Sequence, residues 1–184
     1  MKKKETEALE EEIEIPEGIE VKVEGSKIII KKEGNVLERD FSTKKIVYNV
    51  QDNKLKFSAS RSTRREKKLL GSIMAHVKNM LRGISKNHVY KLQICSGHFP
   101  MNVSVSGNEF VIKNFLGETI PRTLKIREGV SVKVDGSNVI VESNNKELAG
   151  QTAASIEQLT RVKARDSRIF QDGIYIIEKD GKPI

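Results

Sequence analysis

VKVEGSKIII at 21–30 and VKVDGSNVIV at 132–141 share Val, Lys, Val, Gly, Ser and Ile in the same columns, 111 positions apart. Each phrase alternates apolar and polar residues, breaks at Gly-Ser, then runs apolar again. That is the pattern of two period-two strands joined by a tight glycine turn. VSVSGNEFVI at 103–112 keeps the same form. IVYNVQDNKLKF at 46–57 keeps the strands and places Asp52-Asn53, residues that tolerate left-handed backbone, in the turn. Four hairpins are therefore expected, centred near 25, 52, 107 and 136.

Each pair of hairpins leads into a helical pattern. KKLLGSIMAHVKNMLRGI puts Leu69 or Leu70, Ile73, Val77, Met80 and Ile84 on one stripe. KELAGQTAASIEQLTRV puts Leu148, Thr152, Ile156 and Leu159 on a matching one. The helices align as Leu69/Leu148, Gly71/Gly150, Ala75/Ala154 and Arg82/Arg161, an offset of 79, while the first and third hairpins are offset by 82. Two independent features thus report one period of about 80 residues, too long for a solenoid repeat. A glycine at the same place in both helices costs about 1 kcal/mol relative to alanine, so Gly71 and Gly150 are expected where helix and sheet approach closely.

The fold class expected is α+β: two tandem copies of a β-β-β-β-α unit, mostly antiparallel sheet with one packed helix each, plus a C-terminal basic tail. The expected divisions are an N-terminal extension at 1–12, a first repeat at 13–83, a second at 84–162, and a tail at 163–184 without a counterpart in the first copy.

Composition sets the class of protein. The chain is 37% hydrophobic, 32% charged and 5% aromatic, which suits modest water-facing domains. The apolar run Ile28–Ile30 falls far short of the roughly 20 residues of a membrane span. Met-Lys-Lys-Lys leads into an acidic stretch and not into the pattern of a secretory leader, and the single cysteine, Cys95, suits a reducing compartment. A cytoplasmic location is the expectation.

No catalytic constellation emerges. His76, His88 and His98 are scattered without metal-ligand spacing, and no phosphate-binding glycine loop occurs. Cys95 lies in the apolar alternation Val89–Cys95, as a buried thiol would, and Asp166, Asp172 and Asp180 fit no metal loop. The chain is expected to be no enzyme and to carry no cofactor or metal.

The charges point elsewhere. The formal net charge is +8, from 33 basic and 25 acidic residues, and its distribution is uneven. Six glutamates fall within residues 5–14, whereas Arg61, Arg64, Arg65, Lys67 and Lys68 are opposed by one acid. Arg161, Lys163, Arg165 and Arg168 are opposed only by Asp166, and Phe170 and Tyr175 follow. Arginine bridges phosphate oxygens and stacks on bases, so cations interleaved with aromatics suit nucleic acid. A helix C-terminus accounts for Arg161 and Lys163 without any ligand, but not for Arg165 or Arg168. The first cluster precedes a helix, where the dipole prefers negative charge, and so suggests an outside anion; a solvated loop tolerates it too.

HFPMNVSV at 98–105, IKNFLGE at 112–118 followed by Arg122, and AGQTAASIEQLT at 149–160 resemble the sixth protein of the large ribosomal subunit. RDSRIFQDGIYI at 165–176 resembles the archaeal and eukaryotic branch of that family, with Gln171 where leucine is more typical. The resemblance implies two tandem α+β units and a non-enzymatic ribosomal component. It implies binding to large-subunit ribosomal RNA through the second domain and tail, near the stalk base and factor-binding region. The implied partners are that RNA and neighbouring large-subunit proteins at the stalk base, with no membrane and one copy per ribosome. By position in the matched motifs, RNA contact is expected at Arg161, Lys163, Arg165 and Arg168, then at Asn114, Arg122 and His98. Arg61, Arg64, Arg65, Lys67 and Lys68 form a secondary basic patch. A duplicated, basic α+β chain also fits a TATA-box-binding protein, but Phe41, Phe57, Phe99, Phe110, Phe115 and Phe170 do not recur as symmetric wedge pairs. A protein-interaction module without nucleic acid would leave both basic clusters idle.

Overall fold

The computed structural model describes residues 9–43, 45–51, 53–59, 62–166 and 168–184. Arg61, Asp52 and the first eight residues lie outside these. The chain divides into two units, Met1–Lys86 and Asn87–Ile184, each with its own apolar core.

The first unit runs β1 (Leu9–Glu14), β2 (Glu20–Glu24), β3 (Lys27–Lys32), β4 (Asn35–Asp40), β5 (Ile46–Gln51), β6 (Lys54–Ala59) and α1 (Arg64–Ser85). Its strands form two antiparallel sheets, ordered β1-β6-β5 and β2-β3-β4. The second unit repeats the order with β7 (His88–Cys95), β8 (Asn102–Ser106), β9 (Glu109–Lys113), β10 (Arg122–Lys125), β11 (Ser131–Asp135), β12 (Asn138–Ser143) and α2 (Lys146–Leu159). It then adds β13 (Gly173–Lys179) and the short β14 (Lys182–Pro183). Its sheets are ordered β10-β9-β8 and β11-β12-β7-β13-β14.

All four expected hairpins are present. Gly25, Gly107 and Gly136 take positive φ in their turns, and Asn53 does so at +60° in the hairpin that lacks glycine. The two quoted phrases pair alike, Val21↔Ile30 in β2–β3 and Val132↔Val141 in β11–β12. They are the first hairpin of one unit and the second hairpin of the other. Each unit adds two further strands ahead of its helix. One of these additions, β3–β4, turns at Glu33-Gly34, both with positive φ, the backbone of a type I′ turn.

The tail at 163–184 is not an appendage throughout. Strand β13 pairs with β7 along its length, Ile174 is fully buried, and α2 packs across β7, β12 and β13. At the far end of β7 the buried His88 ring lies 3.1 Å from the Asp180 carboxylate in the β13–β14 turn. That turn also hydrogen-bonds β7, with the Asp180 N–H donating to the Val89 carbonyl.

Both helices bury one stripe against their sheets. Leu70, Ile73, Val77, Leu81 and Ile84 are buried on α1, and each full burial contributes about 1.5–3 kcal/mol. On α2 the buried face is smaller in volume: Ala149, Thr152, Ala153 and Ile156 are inside, while Leu148 and Leu159 are only half-buried. The small face lets α2 sit close to the sheet, and here the expectation for Gly150 holds. A Cβ at Gly150 would meet the Tyr90 hydroxyl at 3.2 Å. Gly71 departs from expectation: it is exposed, and a Cβ there would meet nothing within 4 Å. Its cost is therefore the ordinary helix-interior cost of glycine. Gly71→Ala should raise stability by about 0.5–1 kcal/mol in urea unfolding. Gly150→Ala should gain less or lose, because Tyr90 must move; equal gains at the two positions would remove the close-approach argument.

Candidate nucleic-acid interface

The Arg161–Arg168 cluster lies on the connection from the end of α2 to the start of β13. Arg161, Lys163, Arg165 and Arg168 are all exposed. The connection is held at both ends. Where it leaves the helix, the buried Thr160 hydroxyl donates to the Glu157 carbonyl and accepts the Ile174 N–H at 2.9 Å. Within it, the Ile169 and Phe170 N–H groups both donate to the Asp166 carbonyl, closing a turn. Arg168 pairs across this turn with the Asp166 carboxylate at 2.8 Å, an exposed pair that leaves 88% of the arginine side chain in water.

The other end is fixed by Asp172, which is 2% exposed. Its carboxylate accepts the backbone N–H groups of Gly97 and His98 at 2.6 and 3.0 Å, and its second oxygen lies 2.5 Å from His98 Nδ1. The Phe170 ring stacks on the His98 ring at 4.7 Å, and the Arg165 guanidinium sits 4.9 Å from the Phe170 centroid. Arg165, Phe170 and His98 therefore form one arrayed platform, anchored from below by a buried carboxylate. Phe99, Ile120, Ile169 and Tyr175 add exposed apolar surface on the same unit.

The remaining expected residues have different surroundings. Asn114, at φ +61°, donates to the Pro100 carbonyl at 3.0 Å and starts the 3-10 turn Phe115–Gly117. It shapes the loop carrying Phe99. Arg122 makes two bonds to Glu118, one to the Leu159 carbonyl at the end of α2 at 2.6 Å, and lies over the Phe115 ring at 4.2 Å. These bonds occupy its guanidinium within the chain, so Arg122 positions the helix end and is not an open cation. Hydrogen bonding to Arg122, against some burial and with help from Arg165, holds the Glu118 carboxyl below its ordinary range. In the first unit, Arg64, Arg65, Lys67 and Lys68 are exposed on the first turns of α1, while Glu66 among them is buried and lies 3.6 Å from Lys45. Arg61 is outside the described residues. Cys95 is half-buried, not buried, and borders a hollow with Ser96, His98, Gln171 and Tyr175. Among the described residues no group of three His, Cys, Asp or Glu is placed to hold a metal ion, and no helix is long and apolar enough to cross a membrane.

Sequence alone could not assign Asp172, because its role depends on a loop 74 residues away in the chain. Burial pushes its carboxyl up, but the bonds from the His98 N–H, the His98 ring and the Gly97 N–H outweigh burial and hold it below the ordinary range. A depressed carboxyl contributes stability that is present above its unfolded value, about pH 3.9, and is lost as pH falls through the folded value. Asp172→Asn should cost about 1–3 kcal/mol at neutral pH. It should also flatten the loss of stability below about pH 4 in acid titrations followed by circular dichroism. An unchanged acid limb would show that this carboxylate does not tie down the connection.

The family model of Ribosomal protein L6 matches the chain twice, over residues 12–87 and 99–173, once in each unit. The large ribosomal subunit protein uL6 of Methanococcus vannielii is 47% identical over 174 residues, covering 95% of this chain and 96% of that protein. The uL6 proteins of Sulfurisphaera tokodaii and Aeropyrum pernix are 45% and 42% identical, covering 94% and 92% of this chain and 93% and 94% of those proteins. These relatives are archaeal, within the archaeal and eukaryotic branch that the motif at 165–176 implied, and they set aside both the DNA-bending and the free interaction-module readings. With a double match over most of its length, the chain belongs to the ribosomal protein L6 family, whose members are structural and not enzymatic components.

Proposed function

We propose that the chain is a structural constituent of the large ribosomal subunit that binds large-subunit ribosomal RNA near the stalk base and factor-binding region. The observation that supports this most is the anchored connection between α2 and β13. It presents four exposed cations beside an Arg165–Phe170–His98 platform whose geometry is set within the fold. Phosphate binding needs cations that are exposed yet held, because ordering a floppy arginine on binding costs about 0.5–1.5 kcal/mol per side chain. The aromatic and guanidinium surfaces suit unstacked bases, which carry sequence-specific RNA recognition. Arg161, Lys163, Arg165 and Arg168 are the phosphate-facing groups in this reading. His98 contributes a stacking surface, Asn114 a loop edge, and Arg122 the placement of the helix end. Arg64, Arg65, Lys67 and Lys68 form a second anion-facing patch on the first unit. The protein works in the cytoplasm as one copy in a large subunit, beside other proteins of the stalk base.

The test is binding of the full chain to a large-subunit RNA fragment spanning the stalk base, measured between 50 and 200 mM salt. Each phosphate contact contributes a salt slope of about 0.7–0.9, so replacing all four cations by alanine should shrink the salt effect over that range roughly 50- to 150-fold. Circular dichroism should be unchanged, since all four side chains are exposed. Arg122→Ala should instead lower thermal stability. Wild-type affinity and salt slope in the fourfold variant would sink the assignment of these residues.

A further inference from the structure

The internal repeat has one place filled by a strand in the second unit that, among the described residues, no strand fills in the first. Strands β1 and β7 are equivalent: each pairs with the last strand before its helix, β6 or β12. The Ile15 N–H donates to the Asn53 carbonyl at 3.0 Å, and the Ile94 N–H to the Ser137 carbonyl at 2.8 Å. The two strands are thus offset by 79, as the helices are. Backbone groups of an antiparallel strand alternate sides. With Ile15 turned toward the β5–β6 hairpin, the N–H and C=O groups of Glu10, Glu12 and Glu14 point away from the sheet. In β7 the corresponding groups, on Val89, Lys91 and Gln93, face β13, and the Asp180 N–H bonds the Val89 carbonyl there. Among the described residues no strand covers the outer edge of β1.

Charge says what would fit. Lys91 of β7 pairs with Glu178 of β13 at 2.9 Å. The equivalent of Lys91 in β1 is Glu12, whose carboxylate accepts from Lys54 of β6 at 2.8 Å, while Glu10, Glu11 and Glu14 around it are exposed and make the excess negative charge of the edge. We propose that the outer edge of β1 is a docking edge for an extended, lysine- or arginine-rich segment of a partner protein, which adds as a strand where β13 lies in the second unit. RNA is repelled by these carboxylates. A second copy pairing β1 with β1 would set glutamates against glutamates, which like-charge cross-strand pairs disfavour. Strand addition gains main-chain hydrogen bonds, and alternating lysines supply the specificity. The proposal is independent of the RNA contacts, and its test contains no RNA.

The test uses the isotope-labelled full chain at low salt, titrated with a capped heptapeptide of alternating valine and lysine, and separately with valine and glutamate. The lysine peptide should slow amide exchange at Glu10, Glu12 and Glu14 at least tenfold and leave α1 unchanged; the glutamate peptide should leave exchange unchanged in both. Glu12→Pro removes an outward N–H, which an edge strand tolerates, so the fold should persist by circular dichroism while the protection is lost. Glu12→Lys should weaken the lysine peptide and keep the backbone groups. The proposal fails if edge exchange is unaffected, for then the glutamates only guard the edge against pairing. It fails equally if Glu12→Pro is protected like the wild type. Protection that rises with protein concentration alone would make the occupant a second copy and overturn the basic-segment assignment.

Discussion

The pairing of β13 with β7 is the interaction on which the arrangement of the second unit's basic surface depends. After α2 the chain must return to a sheet edge, and that return takes residues 161–166 and 168–172 across the surface of the second unit. Thr160 holds the departure and Asp172 holds the arrival, each buried and each satisfied by backbone groups. A segment fixed at both ends has lost most of its conformational freedom before any ligand arrives. The cations it carries are therefore presented and not merely attached. Asp172 bonds both the β7–β8 loop and the His98 ring, so one carboxylate sets the positions of two loops far apart in sequence.

The two units share an architecture and divide the charge. In the second unit the basic residues gather on the connection that the extra strand creates, beside aromatic rings that β13 and the β7–β8 loop bring together. In the first unit, cations sit on the opening turns of α1, against the preference of the helix dipole, while the acidic side chains line the edge of β1. A duplicated fold gives each copy the same sites for strands and turns. What differs is the occupancy of the β1/β7 edge and the charge on either side of it.

Much of this was legible because it is local. A glycine turn between period-two strands identifies a hairpin whatever surrounds it, and even the Asp52-Asn53 turn was readable from residues that tolerate positive φ. The β3–β4 hairpin carried a comparable signal, Glu33-Gly34, but its second strand, NVLERD, alternates too weakly to mark a buried face. The Arg161–Arg168 cluster was legible as a run of charge. Arg122 was not separable from it, because a guanidinium committed to Glu118 and the Leu159 carbonyl has the same letter as one facing water. Likewise Gly71 and Gly150 are identical in sequence terms, and only the nearness of Tyr90 distinguishes them.

Sequence by itself determined the duplication, the four hairpins, the two helices and the basic run, since each rests on periodicity or on the backbone tolerance of particular residues. The tertiary structure decided that the end of the chain enters the sheet, that Asp172 is an anchor, and that Arg165, Phe170 and His98 form one surface. It also decided which cations face water and which strand edge no described strand covers. Those outcomes depend on contacts between residues dozens of positions apart, and such contacts leave no periodic trace in the chain.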